Sequence, residues 1–243
     1  ATILKTAGRD PRGTVLEVGP GHGILTLPLA ERFGTVVAVE KDARLAAELG
    51  ETLQKKGIAN VRLHTGDILD LFPDKLNLGA RYLVVANIPY YLTGRLLRTL
   101  LESPQRPERM ALLVQREVAE RIVAKPPRMN LLGLSVQAYG NPRVVARVPK
   151  TAFRPQPNVE SAVVAVEHIS DAFFRDQNIQ PEQFFTVIRA GFSTKRKTLA
   201  NALASWAGSK SEAEALLTAA DIDPRTRAET LSLDEWAALA RQS

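Results

Sequence analysis

Apolar residues along this chain fall into two spacings. Short apolar runs at 15–18, 36–39, 60–65, 82–86 and 110–115 have the length and β-branched content of strands. Between them, residues 24–33, 43–56, 92–101 and 117–124 carry apolar positions at helical spacing, and a loop is expected around Leu71-Phe72-Pro73. This alternation predicts an α/β fold, a parallel sheet with helices on both faces. Two more strands, at 143–148 and 161–166, are predicted to add an antiparallel edge. After about Ser170 the pattern becomes helical, at 181–190, 195–207, 211–219 and 232–241. Ser211 and Ser232 are the expected N-caps, and Ser232-Leu233-Asp234-Glu235 has capping-box spacing. Two domains are therefore expected, an α/β domain over 1–170 and a small all-helical domain over 171–243.

Composition narrows the chemistry. An apolar fraction of 45% in 243 residues supports a real core. The absence of cysteine excludes disulfides, thiolate metal sites and cysteine nucleophiles, and fits a reducing compartment. Three scattered histidines (His22, His64, His168) make a histidine metal cluster improbable, so no metal is expected. No apolar stretch is long enough to span a membrane, and no secretory signal opens the sequence. The net charge of +6 is unevenly placed: residues 1–170 carry 23 Lys+Arg against 16 Asp+Glu, and residues 171–243 carry 9 against 10. Within 95–154 there are 12 basic residues and 4 acidic ones. Such a surface suits a polyanion such as nucleic acid, or simply keeps the protein in solution.

Two strand ends carry candidate chemistry. Glu17-Val18-Gly19-Pro20-Gly21-His22-Gly23 joins a strand to a helix. Its spacing is G-x-G-x-G, not the dinucleotide G-x-G-x-x-G, and Pro20 discourages a diphosphate cradle; alone, it is as well read as a tight turn. Glu40 ends the second strand, where such folds bind ribose hydroxyls with a carboxylate. Asp67 follows Gly66 at the end of the third strand, where it can accept from an adenine amino group or cap a helix. A ligand with ribose and adenine but no demand for phosphate fits S-adenosylmethionine better than NAD or ATP. Gly19, Gly21, Glu40 and Asp67 are the candidate donor contacts.

Asn87-Ile88-Pro89-Tyr90 follows the strand at 82–86, again at a carboxyl end. An adenine or cytosine amino nitrogen is a poor nucleophile because its lone pair is delocalised into the ring. The Asn87 side-chain oxygen and a backbone carbonyl of Ile88 or Pro89 can accept its two hydrogens and free that lone pair, proline's fixed φ stiffening the main chain. Tyr90 can stack on the base. Phe153, in Ala152-Phe153-Arg154-Pro155-Gln156-Pro157, is the candidate second aromatic, or else a loop anchor packed on the core.

In this order, the Glu17–Gly23 turn, Glu40, Gly66-Asp67, Asn87-Ile88-Pro89-Tyr90 and the 153–159 segment resemble the rRNA adenine N6-dimethyltransferases. Arg189-Ala190-Gly191-Phe192, the run 195–199 and the run 227–233 resemble the small-subunit branch, the KsgA family. The resemblance implies a Rossmann-like methyltransferase fold with a helical C-terminal domain that recognises rRNA. It implies dimethylation of two adjacent adenosines near the 3′ end of small-subunit rRNA, late in assembly, with S-adenosylmethionine as cofactor. Carried over by motif, Gly19, Gly21, Glu40, Asp67 and Asn87 contact the donor, and Asn87, Pro89, Tyr90 and Phe153 handle the adenine. The expected partner is small-subunit rRNA within an immature ribosomal subunit, met by a cytoplasmic monomer with no membrane attachment. A basic helix at 195–199 would touch rRNA or be a solvated face.

Two departures stand out. Members of the family normally carry an N-terminal basic arm with a Gln-Asn-Phe-Leu-like motif, which is not found before Ala1, so the sequence is expected to be a trimmed or partial chain. The segment Leu132-Gly133-Leu134-Ser135 keeps the Gly and Ser of a usual Tyr-Gly-Arg-Leu-Ser core and lacks the Arg. Alternative readings are a resistance-type dimethyltransferase of large-subunit rRNA and a non-catalytic rRNA-binding assembly factor.

Overall fold

The computed structural model describes residues 2–89, 92–154, 156–194 and 196–242. The chain divides into two compact units. The first comprises residues up to Ala119 together with Asn141–Ile169; the second comprises Glu120–Gly140 and Ser170 onward. The boundary expected at 170/171 is thus crossed by an earlier segment, residues 120–140, which clusters with the C-terminal helices.

The first unit opens with α1 (Thr2–Ala7), β1 (Asp10–Val18), α2 (Thr26–Ala30), β2 (Phe33–Glu40), α3 (Ala43–Lys55) and β3 (Val61–Thr65). It continues with α4 (Ile68–Leu71), β4 (Tyr82–Asn87), α5 (Thr93–Glu102) and β5 (Arg109–Gln115). After α6 (Arg116–Ile122) and α7 (Leu131–Gln137), the chain returns as β6 (Asn141–Val148) and β7 (Ser161–Glu167). Among the described residues the strands form one sheet in the order β3-β2-β1-β4-β5-β7-β6. The first five are mutually parallel, and β7 runs antiparallel to both β5 and β6. Residues 15–18, 36–40 and 82–86 are buried without alternation, as expected of central parallel strands covered on both faces. One face of the core gathers Ile3, Leu4 and Ala7 of α1 with Val15, Val36, Val85 and Leu29.

The helix expected at 24–33 is shorter. The Asn60 side chain donates to the carbonyls of Ala30 (2.8 Å) and Phe33 (3.0 Å), satisfying acceptors where helix hydrogen bonding stops. Phe33 already belongs to β2, paired with Asp10. The expected loop at 71–73 begins with α4, nucleated by Asp67, whose carboxylate accepts from the Leu69 N–H.

The second unit adds α8 (Ala172–Asp176), α9 (Pro181–Gly191), α10 (Leu199–Ala207), α11 (Lys210–Ala219) and α12 (Leu233–Ala240). Tyr139, Phe173, Phe174, Phe184 and Phe185 pack ring against ring. Trp236 is fully buried beside Gly191 and Phe192. The Ser232 capping box forms as expected. The N-cap of α11 is Ser209 rather than Ser211: its hydroxyl accepts from Glu212 N–H at 3.1 Å, and Ser209-Lys210-Ser211-Glu212 repeats the same spacing. The helix expected from 195 starts at Leu199, after Thr198; Lys195 lies outside the described residues, and Arg196 and Lys197 precede the helix. Three consecutive cations are disfavoured in a first helical turn, where the helix dipole is positive.

Candidate active site

The candidate residues arise from strand register. Val18 of β1 pairs with Val39 of β2 and Ala86 of β4, and Glu40 pairs with Thr65 of β3. Gly19, Glu40, Asp67 and Asn87 therefore emerge side by side along one sheet edge, where the chain switches direction between β1 and β4. The same edge receives the loop from β6 to β7, because Ser161 starts β7 opposite Gln115 at the end of β5.

The glycine turn is wired to protein acceptors. The Gly19 N–H donates to the Val39 carbonyl (3.0 Å) and the Gly23 N–H to that of Pro20 (2.9 Å). The Gly21 N–H donates to Glu40 Oε2 (2.9 Å), while Glu40 Oε1 accepts from the Asp42 N–H (2.9 Å). With all three glycine N–H groups engaged, the turn offers none of them to a phosphate. Gly19 and Gly21 adopt φ of +72° and +54°, in the left-handed region. A Cβ at Gly21 would meet no atom within 4 Å, and one at Gly19 would meet only the Asn87 carbonyl at 3.8 Å. Open space thus lies over Gly19 and Gly21, bordered by Asn87, whereas a Cβ at Gly23 would lie 2.6 Å from Leu49.

The carboxylates differ in their surroundings. Glu40 is 8% exposed and keeps free lone pairs on both oxygens beyond the two N–H groups it accepts. Asp67 caps α4 and also pairs with Lys41 (3.0 Å), so both oxygens carry one partner. The Leu69 N–H and the Lys41 ammonium hold its carboxyl below the usual range. Asp67 is therefore a helix cap, with remaining lone pairs for a ligand.

At the acceptor end, β4 stays buried through Ala86 and then Asn87 is exposed. Ile88 is 2% exposed and its N–H donates to the Leu113 carbonyl (3.1 Å), which pins the segment to β5. Pro89 is exposed, and its carbonyl accepts the Leu92 N–H (2.9 Å), so one of its lone pairs is already used. Tyr90 lies outside the described residues. Phe153 is half-buried and directly follows the 3-10 turn Lys150–Ala152. Its loop is tied to the end of β5 twice, by Arg116 N–H to Glu160 carbonyl (2.9 Å) and Arg116 guanidinium to Glu160 carboxylate (2.7 Å).

Several arginines of the basic stretch 95–154 are engaged within the protein. Residues of the stretch divide between the two units. Arg98 and Arg143 pair with Glu102 and Glu167, Arg116 with Glu160, and Arg109 donates to the Ala7 carbonyl. Glu17, the first residue of the turn motif, is a further polar group at the end of β1. It is 1% exposed, and a carboxylate inside the apolar run 15–18 was the available signal.

The profile described as ribosomal RNA adenine dimethylase matches residues 1–242. The chain belongs to the ribosomal RNA adenine dimethylase family. Within it, the chain is 47% identical over 236 residues to the ribosomal RNA small subunit methyltransferase A of Dehalococcoides mccartyi, covering 96% of this chain and 80% of that one. It is 42% identical to the protein of the same name from Moorella thermoacetica, covering 98% and 85%. A dimethyladenosine transferase from Plasmodium falciparum shares the fold with a TM-score of 0.81 at 22% identity, covering 98% and 92%. The 23S rRNA methyltransferase ErmE superposes with a TM-score of 0.72 at 25% identity, covering 99% and 94%. The Rossmann-like methyltransferase architecture of this dimethylase is thereby shown. Among its described residues, no helix is long and apolar enough to cross a membrane.

The site fits the donor such an enzyme needs. Space over Gly21, a carboxylate at the end of β2 and a turn with its glycine N–H groups engaged suit an uncharged ribose better than a diphosphate.

Proposed function

We infer that this dimethylase transfers methyl groups from S-adenosylmethionine to N6 of two adjacent adenosines near the 3′ end of small-subunit rRNA. The observation that carries this reading is the exposure of Asn87 beside open space bordered by a glycine turn whose N–H groups are engaged. When bound, S-adenosylmethionine supplies an electrophilic methyl group on a sulfonium. Glu40 accepts the ribose hydroxyls with its remaining lone pairs while keeping its grip on the Gly21 N–H. Asp67 accepts from the donor's adenine amino group, its position fixed by the α4 cap.

The Asn87 side-chain oxygen accepts one hydrogen of the target amino group, and the main chain at Ile88-Pro89 accepts the other. Accepting both draws the nitrogen toward pyramidal geometry and directs its lone pair at the methyl. No strong base is needed before attack, so orientation and placed dipoles supply most of the acceleration. Tyr90 and Phe153 stack on an adenine swung out of its helix. The first unit holds donor and target base; the helical unit contacts rRNA. The protein acts in the cytoplasm as a monomer on an immature small subunit, and its rRNA affinity falls steeply with salt.

Methyl transfer is measured with radiolabelled S-adenosylmethionine on immature small subunits and on protein-free large-subunit rRNA. Dimethyladenosine is expected in the small-subunit rRNA, with loss of more than a hundredfold in Asn87→Ala. Methylation confined to large-subunit rRNA would overturn the choice of substrate. An Asn87→Ala protein with full activity would overturn the assigned chemistry.

A further inference from the structure

Beneath the glycine turn lie polar atoms that the chemistry above leaves idle. Glu17 sits two residues before Gly19 on β1, paired with Ala38 of β2 and Val85 of β4. Thr26, fully buried, opens α2. Its hydroxyl lies 3.7 Å from the position of a Cβ on Gly23, which places it under the same turn. Among the described residues, neither Glu17 Oε2 nor Thr26 Oγ1 has a hydrogen-bond partner. A buried carboxylate oxygen without a donor is costly to keep charged. Burial pushes the Glu17 carboxyl up to about 7; the Thr26 hydroxyl opposes this, and the Glu40 charge adds to it.

Strand order says what is missing. β1 lies between β2, which ends in Glu40, and β4, which ends in Asn87. A donor whose ribose is held at Glu40 and whose methyl faces Asn87 must carry its sulfur across the end of β1, the strand that holds Glu17. That sulfur is positive before transfer and neutral after it.

We propose that Glu17 is a positioning residue that tells donor from spent donor, its buried, unpartnered carboxyl giving up its proton when a sulfonium occupies the site. The inference rests on the donor assignment above. The proton leaves the Glu17 carboxyl for solvent, and the carboxylate left behind faces the positive sulfur and takes up the Thr26 hydroxyl. The neutral thioether product gives no such return, so it is released in preference to the donor. Glu40 on β2 opposes ionisation of Glu17, and His22 in the turn is exposed and contacts Glu48 of α3 at 3.5 Å. On β4 its register partner is Val85.

The test is calorimetric binding of S-adenosylmethionine and of S-adenosylhomocysteine to the full chain, from pH 6 to pH 8, in buffers of different ionisation enthalpy. Glu17→Gln, checked for a native circular dichroism spectrum, is measured alongside. Subtracting the variant removes proton exchange by the ligands' own amino groups. For a carboxyl titrating at about 7, wild-type affinity for the sulfonium relative to the thioether should rise about tenfold over this range, with a proton released on donor binding. In Glu17→Gln the ratio should be flat. Equal pH dependence for the two ligands, or a ratio unchanged by the substitution, would overturn the proposal while leaving the donor site standing. Failure of the wild type to bind S-adenosylmethionine at all would overturn the donor assignment, and this proposal with it. Should Glu17→Gln not fold, the wild-type comparison decides: proton release specific to the sulfonium supports the proposal, and its absence refutes it.

Discussion

Replacing Glu17 by Gln should change how the stability of the ligand-free protein depends on pH. Burial raises the Glu17 carboxyl from an ordinary 4.5 to about 7. Below about 4.5 the group is protonated in both folded and unfolded chains and contributes no pH dependence. Between 4.5 and 7 the unfolded chain ionises it while the folded chain retains the proton. Stability is therefore lost as pH rises, at about 1.4 kcal/mol per pH unit. The difference of about two and a half pH units amounts to about 3 kcal/mol, fully lost once pH passes 7. Gln has no proton to lose, and its cost as a buried amide is the same at every pH. Urea unfolding of both proteins at pH 5, 6, 7 and 8 measures the effect. The stability of Glu17→Gln relative to wild type should improve by roughly 2–3 kcal/mol from pH 5 to pH 8. The remaining carboxylates titrate in both proteins and cancel in the comparison. A difference that stays constant across this range would refute the reasoning, because it would mean that Glu17 ionises in the folded chain as it does in water.

Other substitutions probe other links. Glu40→Gln keeps one acceptor oxygen where the structure uses two, against the N–H groups of Gly21 and Asp42. It should weaken S-adenosylmethionine binding ten- to hundredfold by calorimetry, as expected for loss of a charge-assisted hydrogen bond of about 1.5–3 kcal/mol. Phe153→Ala should cut turnover on immature small subunits by roughly ten- to a hundredfold, from about 1–3 kcal/mol of lost stacking, with Phe153→Tyr near wild type. Unaffected turnover in the Ala variant would make Phe153 a loop anchor only. Gly191→Val places its Cβ 2.3 Å from the Trp236 ring, so α9 or Trp236 must shift. Thermal unfolding should show a loss of about 1–3 kcal/mol from overpacking.

The sheet was legible because its strands are covered on both faces, which writes an unbroken apolar run into the sequence at 15–18, 36–39 and 82–86. Once those strands are parallel, topology alone brings Glu40, Asp67 and Asn87 to one edge, so much of the candidate site could be anticipated. The second unit's claim on residues 120–140 was not legible. The seven-residue α7 is held by single long-range bonds: Asn130 to the Arg121 carbonyl, Gln137 to those of Ile122 and Ala124, and Met129 N–H to that of Glu229. Such contacts impose no periodicity on the sequence. Charge counts likewise do not reveal which arginines of 95–154 pair with Glu102, Glu160 and Glu167. Nor did the pattern show that Asp67 shares its carboxylate with Lys41.

The chain passes from one unit to the other three times, after Ala119, Gly140 and Ile169. No single cut can therefore release either unit whole. A protease nick at 170 would leave the C-terminal piece without the Met129 partner of its Glu229 carbonyl. A ribosome making this protein also emits part of the helical unit before the last two strands of the sheet, so neither unit is finished when its first segment emerges.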